Sequence, residues 1–198
     1  MPRKDSSDGR RSSSTREALL DAALRVAVVH GVRGITHRKV ATEAGIALGS
    51  TNYHFSSIDD LVLEAFRRFS VRERDRYDEM FRNASSTEDV IDAVLASVNG
   101  QHENTDRAIL LYELYAQGVR DNRYRAIVRD WSRATIARVS AVYSVEVAAQ
   151  IEVIVEGMTF QRLLGDVSLS DRQAREMLHV VLDKSPLRAS QPVTTAQA

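Results

Sequence analysis

The residues of this chain best suited to chemistry with a partner lie between Thr36 and Phe55. Gly49, Ser50, Thr51, Asn52, Tyr53 and His54 are small or hydrogen-bonding, and they fall on one short helical segment of the kind that meets base edges and phosphates. Asn52 can pair bidentately with adenine and Leu48 can pack on a thymine methyl, each contact discriminating by about 1 to 3 kcal/mol. Leu48, Ser50, Thr51 and Asn52 are the expected sequence readers, and Gly49 allows close backbone approach. Thr36, His37, Arg38 and Lys39 open a preceding segment and offer donors along a groove rim, as Tyr53 and His54 do at the far end. Val40 and Phe55 are expected to be core.

Positioning these groups requires two short helices set at an angle. Thr36 can cap the first, which runs to Ala44. Gly45 supplies the positive φ of a tight helix end, and Ile46 is the apolar anchor that folds the next segment back. The pattern is a helix-turn-helix. Ahead of it, Ser14 and Glu17 fit a capping box, and Leu19, Ala22, Ala23, Val26, Ala27 and His30 recur at spacings of three and four as far as Gly31. Residues 1–13 have hardly any apolar side chain and are expected to be a disordered basic arm.

After Ser57, a long helix is expected over 58–83, its middle (71–79) a solvated face of ion pairs. Four more helical patterns follow at 87–103, 106–118, 122–143 and 145–164, and a last one starts from Ser170, where Gln173 completes a capping box. In 106–118 the stripe Ala108, Leu111, Tyr112, Tyr115, Ala116 and Val119 marks the expected buried face, with Ile109, Leu110 and Leu114 widening the apolar arc. The segment 147–164 is apolar around most of its circumference, as suits burial by its own domain on one side and a partner on the other. Tyr112, Tyr115, Trp131 and Thr135 carry polar tips on apolar bodies and, with the apolar Met158 and Phe160, suit a small-molecule cavity; plain burial at helical spacing explains the same residues.

Composition bounds the function. With 198 residues and 43% hydrophobic content, the chain can bury one large core or two modest ones. No window approaches the roughly 18 uninterrupted apolar residues of a membrane span, and a cytoplasmic protein is expected. The net charge of zero is uneven: residues 1–55 hold 9 Lys plus Arg against 5 Asp plus Glu, or +4, leaving 18 against 22, or −4, for the rest. A basic N-terminal end suits a nucleic-acid contact confined to that end. The 5 His have no pair at ligand spacing, Cys is absent, and neither a phosphate loop nor a nucleophile elbow occurs. No enzyme site, metal or cofactor is expected.

The chain resembles the tetracycline-repressor family of bacterial transcription regulators through Arg16, Leu20, Ala22, Ala23, Gly31, Thr36, Val40, Ala41, Ala44, Gly45, Ile46, Gly49, His54, Phe55, Asp59 and Leu61. It departs from the family pattern at Ala47, where a capping Ser is usual, at Asn52, where a Tyr is usual, and at Ile58, where a Lys is usual. The resemblance implies an all-α fold of about nine helices. Residues 14–56 would form a helix-turn-helix head, 57–185 a ligand-binding and dimerisation bundle, and 186–198 a disordered tail. Arg16 would join the DNA-contacting set. A homodimer through about 145–164 and 170–185 would bind a palindromic operator and leave it when a small-molecule effector binds. An alternative from the same residues is a helical ligand-binding or protein-interaction module touching DNA only nonspecifically.

Overall fold

A computed structural model describes residues 6–165 and 169–187, and among them the regular structure is helical throughout. The order is α1 Ser6–His30, a 3-10 turn Val32–Gly34, α2 His37–Ala44, α3 Leu48–His54, α4 Ile58–Phe81, α5 Thr87–Glu103, α6 Thr105–Arg120, α7 Asn122–Val139, α8 Val145–Leu164 and α9 Asp171–Leu182. Residues 1–5 of the expected arm and 188–198 of the expected tail lie outside the described residues. Residues 6–13, also expected in the arm, are instead the start of α1, so Ser14 is interior to the helix and caps nothing. Once the buried stripe has nucleated α1, each added residue gains a backbone hydrogen bond at little cost.

Two compact units form, one from residues 1–73 with 104–131, the other from 74–103 with 132–198. The first therefore reaches well past residue 56. In it, Leu19, Ala22, Ala23, Val26 and Ala27 of α1 are at most 5% exposed, and Leu61, Val62, Ala65, Phe66 and Phe69 of α4 share the core. Phe66 meets Tyr124 edge-on at 5.9 Å, and Phe69 meets Trp131 at the same separation. These ring contacts draw the start of α7 into the unit that carries the helix-turn-helix, and Leu110, Leu111 and Leu114 of α6 join the same core. His30, at the end of the α1 stripe, is exposed.

The buried face of α6 is Ala108, Leu110, Leu111, Leu114 and Gly118. It is rotated from the expected stripe, whose Val119 is 77% exposed. Gly118 makes a close helix crossing possible, since a Cβ there would stand 3.3 Å from Val128 Cγ2 and 3.5 Å from the Arg125 backbone. Arg125 closes the end of α6 by donating to the Gly118 and Val119 carbonyls, both at 3.0 Å. Glu73, within the stretch of α4 expected to be solvated, is buried instead and held by Arg107, whose Nε lies 3.1 Å from both carboxylate oxygens.

In the second unit α5, α8 and α9 pack around Val90, Ile91, Val94, Ile151, Leu178 and Leu182. α7 stops at Val139 rather than 143, because Tyr143 turns inward, fully buried, with its hydroxyl 2.7 Å from Thr87 Oγ1. The capping box at Ser170 and Gln173 forms as expected. Arg175 ties α9 to Glu88 and Asp92 of α5, and Arg162 joins Asp171 at 2.6 Å. Among the described residues no helix is long and apolar enough to cross a membrane.

Candidate nucleic-acid interface

The angle between α2 and α3 is set by local hydrogen bonds. Thr36 caps α2, its hydroxyl accepting from Lys39 N at 3.2 Å. At the other end Gly45 adopts φ 65°, its N–H bonding Thr42 O while Ile46 N bonds Ala41 O at 2.9 Å. That pair of bonds is a Schellman ending, which a left-handed glycine permits without a Cβ penalty. α3 starts directly afterwards, with Ala47 at the N-cap and no side chain satisfying its first turn.

The two helices present a polar outer surface. Thr36, Arg38 and Lys39 at the head of α2 are exposed, as are Leu48, Gly49, Asn52 and Tyr53 of α3, with Tyr53 82% exposed. Ser50 and His54 are half-buried, and the His54 ring stands edge-on to Tyr53 at 5.1 Å. A Cβ on Gly49 would meet nothing within 4 Å, so α3 can be approached closely there. Val40 and Phe55 are core, as expected.

Three expected contacts are placed differently. Thr51 is fully buried, its hydroxyl donating to Leu48 O at 2.7 Å, so it holds α3 against the core and cannot read a base. Leu48 and Asn52 are four positions apart, so the residues between them complete a helical turn and one of them must face inward; Thr51 is that residue. His37 is half-buried with Nδ1 enclosed and lacking a hydrogen-bond partner. Arg16 is engaged within the protein, paired with Glu64 and lying 5.1 Å over the Phe55 ring, which binds α1 to α4.

Glu113, which the sequence reading passed over, reaches the other side of the head. Its Oε2 accepts from Val32 N at 3.3 Å, capping the 3-10 turn that Gly31 enters at φ 67°. A Cβ on Gly31 would approach Glu113 Oε1 to 3.1 Å, so the glycine makes room for this carboxylate. An acid in the middle of an amphipathic helix carries no sequence signal for such a long-range cap.

The residues expected around a small molecule do not come together in one unit. Tyr112, Tyr115 and Trp131 belong to the first, where Trp131 is 8% exposed in the core. Thr135, Met158 and Phe160 belong to the second; Met158 is core and Phe160 is 48% exposed. Phe160 instead borders an open groove of about 410 Å³ with Val153, Ile154, Gly157, Leu169 and Met177. Glu152 was missed by the sequence reading. It is buried on α8 at 9% exposure, its carboxyl pushed up to about 7 by desolvation, then by the Glu156 carboxylate, against a hydrogen bond from Ser132. The available signal was an acid on the face that carries Ala148, Ile151 and Val155.

A capped helix, a left-handed glycine and a second helix with its hydrogen-bonding groups outward define a helix-turn-helix protein. Residues 19–65 match the model of bacterial regulatory proteins of the tetR family, and residues 85–184 match the tetracyclin repressor-like C-terminal domain. The chain belongs to the tetracycline-repressor family. It is similar to the Streptomyces coelicolor A3(2) transcriptional regulator SCO7518, at 28% identity over 84% of this chain and 97% of that one, with a TM-score of 0.78. The multidrug binding protein EbrR, solved in complex with ethidium, is 32% identical over 85% of this chain and 98% of its own, with a TM-score of 0.68. The HTH-type transcriptional repressor KstR2 of Rhodococcus jostii (strain RHA1) is 28% identical over 112 residues, 57% of this chain. The match spans between 54% and 58% of the length of such curated relatives.

Proposed function

We propose that this protein is a ligand-responsive transcriptional regulator, a repressor that binds a palindromic operator as a homodimer. The observation that carries the reading is the Schellman turn at Gly45, which sets out Leu48, Gly49, Asn52 and Tyr53 on one exposed helix beside Arg38 and Lys39. Ser50, Asn52 and Leu48 read bases, while Thr36, Arg38, Lys39, Tyr53 and His54 position the head on phosphates. Two such helices in a dimer meet half-sites about 34 Å apart, one turn of duplex.

A second copy of the chain is the partner that suits α8 and α9. Val153, Gly157, Phe160 and Leu164 follow one another at i, i+4, i+7 and i+11, and the three apolar side chains are 72%, 48% and 67% exposed. A stripe of this size left in water marks an interface. The effector is held within 85–184, the part that matches the family's C-terminal domain, and the relative EbrR holds ethidium. A coupling of about 1 to 3 kcal/mol between effector and operator is enough for a clear regulatory response.

Mobility shift with DNA from upstream of the chain's own coding sequence is the test, with excess nonspecific competitor at moderate salt. A discrete complex that survives competition supports the reading. Equal loss to specific and nonspecific competitor rejects it in favour of a helical module with only nonspecific DNA contact. Light scattering gives the mass, and a monomer would remove the two-headed operator.

A further inference from the structure

The connection between α1 and α2 is held partly from outside the helix-turn-helix. Its backbone bonds run from Gly31 N to Ala27 O, from Gly34 N to Gly31 O and from Ile35 N to Val32 O. The Val32 N–H, which opens the 3-10 turn, donates instead to Glu113 Oε2 of α6 at 3.3 Å, across 81 residues of chain. The turn is shaped around that carboxylate, because Gly31 stands at φ 67° and a Cβ there would come within 3.1 Å of Glu113 Oε1. Three residues past Val32, Ile35 is buried in the core, and Thr36 follows as the cap of α2. Where the Val32 N–H is held therefore fixes where α2 starts and, through the Gly45 turn, how α3 is aimed.

α6 lies in the part of the chain that matches the family's C-terminal domain, 85–184, whereas the turn lies in the part that matches its DNA-binding end, 19–65. Both belong to the first compact unit. Leu110, Leu111 and Leu114 join α6 to the core beneath the head, but apolar contact has no direction and tolerates sliding. A hydrogen bond to a carboxylate does have direction, and at 3.3 Å this one is at the long end of its range, so a shift of α6 by about half an ångström away from the turn breaks it. We infer that Glu113 is a positioning residue for operator recognition: it holds the α1–α2 turn in register with α6, so that α3 meets the groove at a fixed angle and movement of α6 is felt as a loss of operator fit. This rests on the operator-binding reading above and names the residue that positions its head. Loss of the support degrades the fit to bases, whereas nonspecific binding depends on the charge that meets phosphates and is spared.

The test uses the full chain, the upstream DNA fragment of the mobility-shift experiment and a shuffled fragment of equal length. Glu113→Gln keeps a side-chain carbonyl of the same reach and loses the charge. Glu113→Asp keeps the charge and falls short by one methylene, and Glu113→Leu keeps the bulk without an acceptor. Upstream DNA binding is expected to fall tenfold or more in the Asp and Leu variants and to stay within threefold of wild type in the Gln variant, with shuffled DNA little changed throughout. Amide hydrogen exchange is the second readout: the Val32 N–H should exchange faster in the Asp and Leu variants than in wild type and the Gln variant, while the Gly34 and Ile35 amides keep their backbone acceptors and their rates. Unchanged operator affinity in Glu113→Leu, a Gln variant as weak as the Leu variant, or a parallel change on both DNAs would overturn the assignment. Tighter binding of both DNAs by the Gln and Leu variants would overturn it too, leaving Glu113 as a repelling charge. If Glu113→Leu does not fold, the Asp and Gln variants decide between them. Selective wild-type binding that no variant alters rejects this inference alone, and a wild type that does not tell the two fragments apart rejects the regulator reading beneath it and this inference with it.

Discussion

Two glutamates, Glu73 in the first unit and Glu152 in the second, are buried to a similar degree, at 5% and 9% exposure, yet their surroundings are opposite. Glu73 faces the Arg107 guanidinium, which grips both carboxylate oxygens, and the arginine side chain is itself only 13% exposed. Glu152 faces a serine hydroxyl and a second carboxylate. A buried charge met by its opposite within the fold is part of the structure. A buried acid beside a like charge is destabilised in its ionised form, which is why the Glu152 carboxyl is pushed up.

The largest effect expected from this contrast is at Arg107. Arg107→Met strands the Glu73 carboxylate in the core and should cost about 3 to 5 kcal/mol in urea denaturation. The double variant Glu73→Met/Arg107→Met removes both charges and should recover most of that loss. A single variant costing under about 1 kcal/mol, the range of exposed pairs, would mean that the pair is solvated and the contrast false.

The opposite sign is expected at Glu152. Its folded pKa of about 7 lies above the usual 4.5, so between these values the folded state binds more protons than the unfolded one. Stability is then full below about pH 4.5, falls as pH rises, and stays low above about pH 7, a loss of about 3 kcal/mol across the window. Glu152→Gln should therefore raise the melting temperature relative to wild type at pH 8 and leave it nearly unchanged at pH 4.5. A variant less stable than wild type at pH 8 would place Glu152 with Glu73 among the structural acids.

How much of this was legible in the sequence follows from the range of the interactions. The α2–α3 turn is made by bonds between residues at most five apart, so Thr36, Gly45 and Ile46 disclose it directly. The capping box of α9 is equally local. Glu73, Glu113 and Glu152 are placed by partners 34, 81 and 20 residues away, and a glutamate on an amphipathic helix reads as solvated unless that partner is known. The rotated face of α6 has the same origin. Leu110 and Leu114 compete with Tyr112 and Tyr115 for the inward direction, and the close crossing at Gly118 decides for the leucines. Burial of Thr51 was hidden because its hydroxyl suits a groove contact as well as the local bond it makes to Leu48.

On the DNA side, two exposed residues should separate reading from positioning. Asn52→Ala should weaken operator binding by about 1 to 3 kcal/mol and relax selectivity at one base pair. Lys39→Ala should weaken all sequences alike and reduce the slope of log affinity against log salt by about 1. Thr51→Val, which keeps the buried shape and loses only the bond to Leu48, should leave base preference intact. A change of preferred base in that variant would return Thr51 to the readers.

The smallest effect concerns the start of α3. Ala47 has the extended backbone of an N-cap, φ −60° and ψ 139°, without a side chain to accept from the first turn. α2, by contrast, has its Thr36 cap one helix earlier. Ala47→Ser fits the same backbone and should stabilise the first unit by about 1 kcal/mol, visible as a shift of the urea midpoint at constant slope. The seven residues of α3 are too few to be helical unaided, so its order comes from Thr51 and the core beneath it. Were the serine to raise operator affinity as well as stability, α3 would be partly frayed in the free protein. An unchanged affinity would mean that packing alone already holds the recognition helix in its DNA-ready form.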